Sequence, residues 1–262
     1  MSSLVARLTQ TLSQAMPRPG RAPEQPLSPR LAAVGAMVPH GAVLADIGTD
    51  HGWLPVHLVH QRHVPRAIAA DVKQAPLEGA RQRIADHRLS ARIETRLGNG
   101  LTVLQPGEVT AVSIAGMGGK RIVELVRAAP EVLAELDCVV VQPNTDVPWV
   151  RQGLRDAGLR LLDEHLMSHD GRWYTTLAWA PGTEETPWTA ADLQFGPHLR
   201  ARAEPALRRR LGDELSRVAL ILARATHQGA SAKALREKHD ELTAIEAELA
   251  RLSLVEQQIR KA

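Results

Sequence analysis

Between residues 42 and 180 of this 262-residue chain, short apolar runs alternate with longer segments of mixed character. The runs Ala42–Asp46, Arg66–Asp71, Arg92–Arg96, Val109–Ala115 and Cys138–Val141 read as strands. Helices are expected over Trp53–Gln61, from about Pro76 to His87, from about Lys120 to Ala128 and from about Pro148 to Ala157. Short apolar strands separated by helical segments imply a parallel sheet with helices on both faces. Two further strands are expected at Arg160–Leu166 and Tyr174–Ala180. The short segment Met167–Trp173 between them cannot hold a crossover helix, so this pair must form an antiparallel hairpin. Ahead of the first strand, Ser28 can cap a helix over Leu27–Val38, with Pro29 at its first position.

The period changes after Pro181. Leu207, Leu211, Leu215, Val218, Leu222 and Ala225 recur at spacings of three and four. Leu235, Leu242, Ile245, Leu249, Leu252 and Ile259 nearly repeat that pattern. Thr226–Ser231, containing Gly229, reads as the turn of an antiparallel helical hairpin or coiled coil. At the other end, Leu4, Leu8 and Leu12 could share a helix face, and Arg7, Arg18 and Arg21 precede the first acid, Glu24. An organellar transit peptide has that look. Pro17, Pro19, Pro23 and Pro26 favour a flexible extension instead. The expected organisation is an extension over 1–26, an α/β domain over 27–182 and a C-terminal helical unit over 183–262.

Composition narrows the chemistry. The single cysteine, Cys138, excludes an internal disulfide and a Cys-rich zinc site, and fits a reducing, cytoplasmic setting. No apolar run approaches the length of a membrane span. The net charge of +3 is unevenly placed: from Pro187 onward there are 13 Lys+Arg against 10 Asp+Glu, while the remainder is balanced. A basic appendage suits a polyanion as well as it suits a solvated helical surface.

Four loops fall at the carboxyl ends of the parallel strands, where open α/β sheets bind ligands. The first is Asp46-Ile47-Gly48-Thr49-Asp50-His51-Gly52. It has no G-x-G-x-x-G fingerprint, and a pyrophosphate would be repelled by Asp46 and Asp50. Those carboxylates suit the ammonium and sulfonium charges of S-adenosyl-L-methionine. Asp71 ends the second strand, where an acid can accept both ribose hydroxyls of an adenosine cofactor. Asn99, between Gly98 and Gly100, offers an amide to an adenine edge. Ala115-Gly116-Met117-Gly118-Gly119 follows the fourth strand, and Gln142-Pro143-Asn144 the fifth. The glycines allow close backbone approach, and the amides can orient an acceptor base without ionising. A sheet ending in a reversed hairpin looks like the class I Rossmann-like methyltransferase arrangement. His51, His57, His60 and His63 lack the partners and spacing of a zinc site.

These stretches, with Leu27-Ser28-Pro29-Arg30-Leu31 and Ala45–Pro55, resemble the TrmK family of bacterial tRNA methyltransferases. The resemblance implies methylation of N1 of adenine at position 22 of tRNA, with S-adenosyl-L-methionine as cofactor. It implies that Asp46, Gly48, Asp50, His51, Asp71, Val72, Asn99, Gly100, Ala115, Gly116, Met117 and Gly118 hold the cofactor. Asp50, Asn144 and Tyr174 are the candidate catalytic residues. The tRNA would be held by the basic C-terminal helices of a monomer. Two positions depart from the family pattern: Asn99 stands where an Asp is usual, and Thr175 where an acid usually follows the tyrosine. A small-molecule methyltransferase and a catalytically silent RNA-binding module are the competing readings.

Overall fold

The computed structural model describes residues 26–227 and 231–259. The expected N-terminal extension, its last residue apart, and the centre of the expected turn at Thr226–Ser231 lie outside the described residues.

Helix α1 (Pro29–Met37) begins as its sequence requires. The Ser28 hydroxyl accepts from Leu31 N, and Pro29 occupies the first turn, where no intrahelical donor is needed. Strands β1 (Leu44–Ile47), β2 (Ala67–Asp71), β3 (Ile93–Leu97), β4 (Ala111–Gly118) and β5 (Cys138–Thr145) pair in parallel. Helices α2 (Trp53–His60), α3 (Gln74–Asp86), α4 (Gly119–Arg127), α5 (Pro130–Leu133) and α6 (Val147–Asp156) connect them. The hairpin of β6 (Leu159–His169) and β7 (Arg172–Pro181) completes a seven-stranded sheet ordered β3-β2-β1-β4-β5-β7-β6. The β6·β7 pair is antiparallel, as the spacing predicts, and β7 also pairs antiparallel with β5.

The hairpin strands are longer than expected. The turn is only Asp170-Gly171, with φ of 48° and 69°, so pairing continues to His169 opposite Arg172. Asp-Gly is the sequence signal for this two-residue turn, because both positions need φ above zero.

The strands are buried on both faces and alternate sides. Ala45, Ile47, Val112, Ile114, Val139 and Val141 face α4 and α6. Leu44, Ala67, Ala69, Ala111, Cys138 and Val140 face α1, α2 and α3. Asp46, Ser113 and Gln142 continue the second set, which puts three polar side chains on the α1 face near the strand ends.

Beyond the sheet, α7 (Ala190–Phe195) and α8 (Pro197–Ala201) precede the long α9 (Pro205–His227) and α10 (Ala232–Ile259). Leu207, Leu211, Val218, Ile245 and Leu252 form the buried seam between α9 and α10, with Leu166 of β6, Phe195 and Leu199 in the same cluster. The apolar spacing of three and four thus builds one core that also docks on the hairpin. Among the described residues no helix is long and apolar enough to cross a membrane.

Candidate functional site

A cleft of about 1100 Å³ opens at the carboxyl ends of β1, β2, β4 and β5, where the strand order reverses. Its floor at β1 is Asp46, only 4% exposed, whose Oδ1 accepts from Ser113 Oγ at 2.7 Å. Burial pushes the Asp46 carboxyl up to about 6; the Ser113 and Thr49 hydroxyls oppose the shift, and the charges of Asp71 and Asp50 add to it. A bound cation would reverse the effect of burial by favouring the ionised form.

The loop after β1 has φ above zero at Gly48, Asp50, His51 and Gly52. Gly48 N and Thr49 N both donate to Ala70 O, tying the loop to β2. Gly48 has φ of 73°, which favours glycine, and a Cβ there would stand 2.2 Å from Met117 Cε and make that side chain move. From the other side, Arg83 of α3 donates to His51 O at 2.8 Å and its guanidinium covers the Trp53 ring. Asp50 lines the cleft with its side chain mostly in solvent.

Asp71 lines the next wall with Val72. Lys73 N donates to Asp71 Oδ1 at 2.8 Å, which fixes the carboxylate at the end of β2. Val72 is 62% exposed and offers an apolar face to a ring. Asn99 and Gly100 close that end, with Arg121 donating to Asn99 Oδ1. Leu125 fits against Gly100, where a Cβ would lie 2.4 Å from its side chain.

Ala115, Gly116 and Met117 form the opposite wall beneath Asn144. The β4·β5 register shifts at this point, which opens the sheet edge at Gly116 (φ 76°). Asn144 Nδ2 donates to Gly116 O at 2.8 Å. The hairpin brings Tyr174 to the rim, with Arg172 and Trp173 beside it.

Two of the expected cofactor residues stand elsewhere. The His51 ring lies against α3, where a Cβ on Gly79 would be 2.0 Å from Nδ1. It is not on the cleft wall, because the positive φ of the loop turns it outward. Gly118 is not on the cleft wall either; it lies beside Thr145, which is. Thr175, which stands where the family pattern has an acid, is buried in β7.

Arg30, Lys73 and Arg121 also line the cleft, and no local pattern in the sequence points to Lys73 or Arg121. Arg30 belongs to the Leu27–Leu31 stretch, but its partner Gln142 is 112 residues away. The four histidines do not converge: His63 meets Val38 O at 2.7 Å, and His60 meets the His87 ring. Among the described residues there is no group of three or more His, Cys, Asp or Glu able to hold a metal ion.

Residues 27–177 match the model of a methyltransferase domain family. The tRNA (adenine(22)-N(1))-methyltransferase of Bacillus subtilis is 34% identical over 173 residues, 66% of this chain and 73% of that protein. The crystal structure of the B. subtilis m1A22 tRNA methyltransferase TrmK superposes with a TM-score of 0.77 at 28% identity, covering 86% of this chain and 100% of the other. Streptococcus pneumoniae Sp1610, solved in complex with S-adenosyl-L-methionine, gives 0.78 at 29% identity with the same coverage of both chains. With the strand order, the acidic glycine loop and the Gly116 and Asn144 walls in place, these likenesses establish that the chain belongs to the TrmK family of methyltransferases.

Proposed function

We propose that the protein is an S-adenosyl-L-methionine-dependent tRNA methyltransferase acting on N1 of the adenine at position 22. The observation that carries the reading is one continuous cleft lined by Asp46, Asp50 and Asp71 at its donor end and by Asn144 and Tyr174 at its other end. It is supported by the names of the B. subtilis relatives and by the cofactor bound in Sp1610.

The residues present fit the cofactor. The donor end pairs carboxylates with glycine turns that a Cβ would fill, which suits a cationic ligand held close to backbone. Asp46 and Asp50 would face its charged groups, Asp71 its ribose hydroxyls, and Val72, Asn99 and Gly100 its adenine. Gly48, Ala115, Gly116 and Met117 would supply backbone and apolar contact. When bound, S-adenosyl-L-methionine supplies an electrophilic methyl group on a sulfonium.

The acceptor end needs little acid–base chemistry. N1 of unpaired adenine has an in-plane lone pair, so no proton has to be removed before attack. The residues contribute orientation. Asn144 would accept from the adenine 6-amino group, with Asp50 as the other candidate for that contact. Tyr174 would stack on or bond to the base. The base has to leave its pairing to enter the cleft.

We take residues 27–182 as the unit that performs the chemistry and 183–262 as a basic unit that helps hold tRNA, in a cytoplasmic monomer. Arg209, Arg224 and Arg236 are exposed and have no acidic partner among the described residues. Many neighbouring cations are already paired, as Arg208 is with Glu256 at 2.7 Å.

The test is methyl transfer to unmodified tRNA, with reverse-transcription stops mapped on the product. A stop at adenine 22 is expected. Absence of methylation in every tRNA supplied would overturn the reading.

A further inference from the structure

Arg30 enters the cleft from α1 and belongs to none of the loops that line its donor end. Its Nη1 donates to Gln142 Oε1 at 2.6 Å. Gln142 is completely buried, and its Nε2 donates to Pro143 O at 2.9 Å and to Asn144 Oδ1 at 3.4 Å. Asn144 Nδ2 in turn donates to Gly116 O at 2.8 Å. Four residues from α1, β5 and β4 therefore form one directed chain of hydrogen bonds across the acceptor wall.

The polarity of that chain is set at its ends, and the Pro143 carbonyl, which accepts from Gln142 Nε2, reinforces it. A guanidinium can only donate, and a backbone carbonyl can only accept. Gln142 must therefore turn its oxygen to Arg30 and its nitrogen to Asn144. Asn144 must turn its nitrogen to Gly116 and keep its oxygen on the other side. Reversing the amide of the buried Gln142 would set its N–H groups against the Arg30 N–H, and such a mismatch at a buried side chain is costly. A carboxamide alone has no such preference, because its two ends have nearly the same shape.

We propose that Arg30 is a positioning residue for base selection: acting through Gln142, it holds Asn144 so that a carbonyl oxygen, and not an amide N–H, is offered to the acceptor base. Gln142 uses one lone pair of that oxygen and the second remains for a ligand donor. Adenine carries its 6-amino donor beside N1. Hypoxanthine and guanine carry an oxygen at that position and a proton on N1, so they meet oxygen with oxygen and lack the nucleophilic lone pair. The inference rests on the proposed placement of the acceptor base at Asn144. Strand register makes the relay possible: Gln142 follows Val140 on the sheet face covered by α1, where Arg30 can reach it.

The experiment compares tRNA carrying adenine at the target position with tRNA carrying purine, which lacks the 6-amino group, at saturating S-adenosyl-L-methionine. The wild-type protein should favour adenine in kcat/KM by about tenfold or more, since a site built to pair a donor rejects an analogue without it. Arg30→Met should reduce kcat on adenine and lower the adenine-to-purine ratio towards the intrinsic difference in N1 nucleophilicity of the two bases. Arg30→Lys, which keeps a donor, should restore part of that ratio. Calorimetric binding of the cofactor by each variant checks that the fold is intact. A wild-type ratio in Arg30→Met overturns the inference whatever happens to kcat. A wild-type ratio in Asn144→Ala overturns the placement of the base at Asn144, and is distinguishable because it appears whether or not Arg30 is altered.

Discussion

Ser113 Oγ donates to Asp46 Oδ1 at 2.7 Å across β4 and β1, beneath the cleft and out of solvent. The hydroxyl favours the ionised carboxylate, yet burial prevails and the group titrates at about 6. For an acid raised above its unfolded value of 3.8, the folded state holds the extra proton between those two values. The associated stability is present at low pH and lost as pH rises through 6. Asp46→Asn should therefore stabilise the ligand-free protein at pH 7.5 by on the order of 2 kcal/mol, while losing cofactor affinity. Thermal unfolding and calorimetry read the two effects; a lowered Tm, or unchanged affinity, contradicts the assignment. In the wild type, cofactor affinity should weaken towards tenfold per unit as pH falls below 6, and the onset should move to higher pH in Ser113→Ala.

Gly48→Ala should damage both loops at once. The backbone has φ of 73° there, and the new Cβ would collide with Met117 Cε. A decrease of about 1–3 kcal/mol in stability is expected from the conformation alone, with cofactor affinity reduced further by displacement of Met117. Equal Tm and equal affinity in the variant would show that the loop tolerates a side chain.

Asp50→Ala and Asn144→Ala separate the two candidate contacts to the acceptor base. With cofactor saturating, a residue that touches the base in the transition state lowers kcat, and one that binds only cofactor does not. At least one variant should fall about tenfold or more in turnover. Unchanged turnover in both would sink the catalytic assignment.

Arg151 and Glu164 meet at 2.7 Å with neither side chain exposed. Arg151 also donates to Leu193 O, and Glu164 Oε1 accepts from His198 N, so this pair of α6 and β6 anchors α7 and α8. Removing one partner leaves an uncompensated buried charge. Arg151→Met should cost about 3–5 kcal/mol in denaturant unfolding, whereas Arg151→Met with Glu164→Leu should recover much of that stability. A single variant as stable as the wild type would contradict the picture.

Replacing Arg209, Arg224 and Arg236 by Ala should raise KM for tRNA and leave cofactor affinity unchanged. Every arginine that neutralises a phosphate should, once removed, flatten the slope of log K against log salt by roughly 0.7–0.9. An unaltered salt slope would remove the C-terminal helices from the tRNA interface.

The seven strands, the direction of the terminal hairpin and the cleft loops were legible in the sequence because each depends on local signals. Apolar runs, helical spacing and glycine punctuation act over a few residues, and the carboxyl ends of parallel strands then bring the loops together. The same signals paired the apolar faces of α9 and α10, with Leu211, Val218 and Ile245 in their common core. Tertiary structure decided what local patterns cannot carry. The outward turn of His51 depends on Gly79 of α3 leaving room for its ring. The Arg30 to Gln142 bond and the buried Arg151–Glu164 pair join segments whose packing sets their distance and polarity. Apolar periodicity tells which face is buried; only packing tells which polar group meets which across that face.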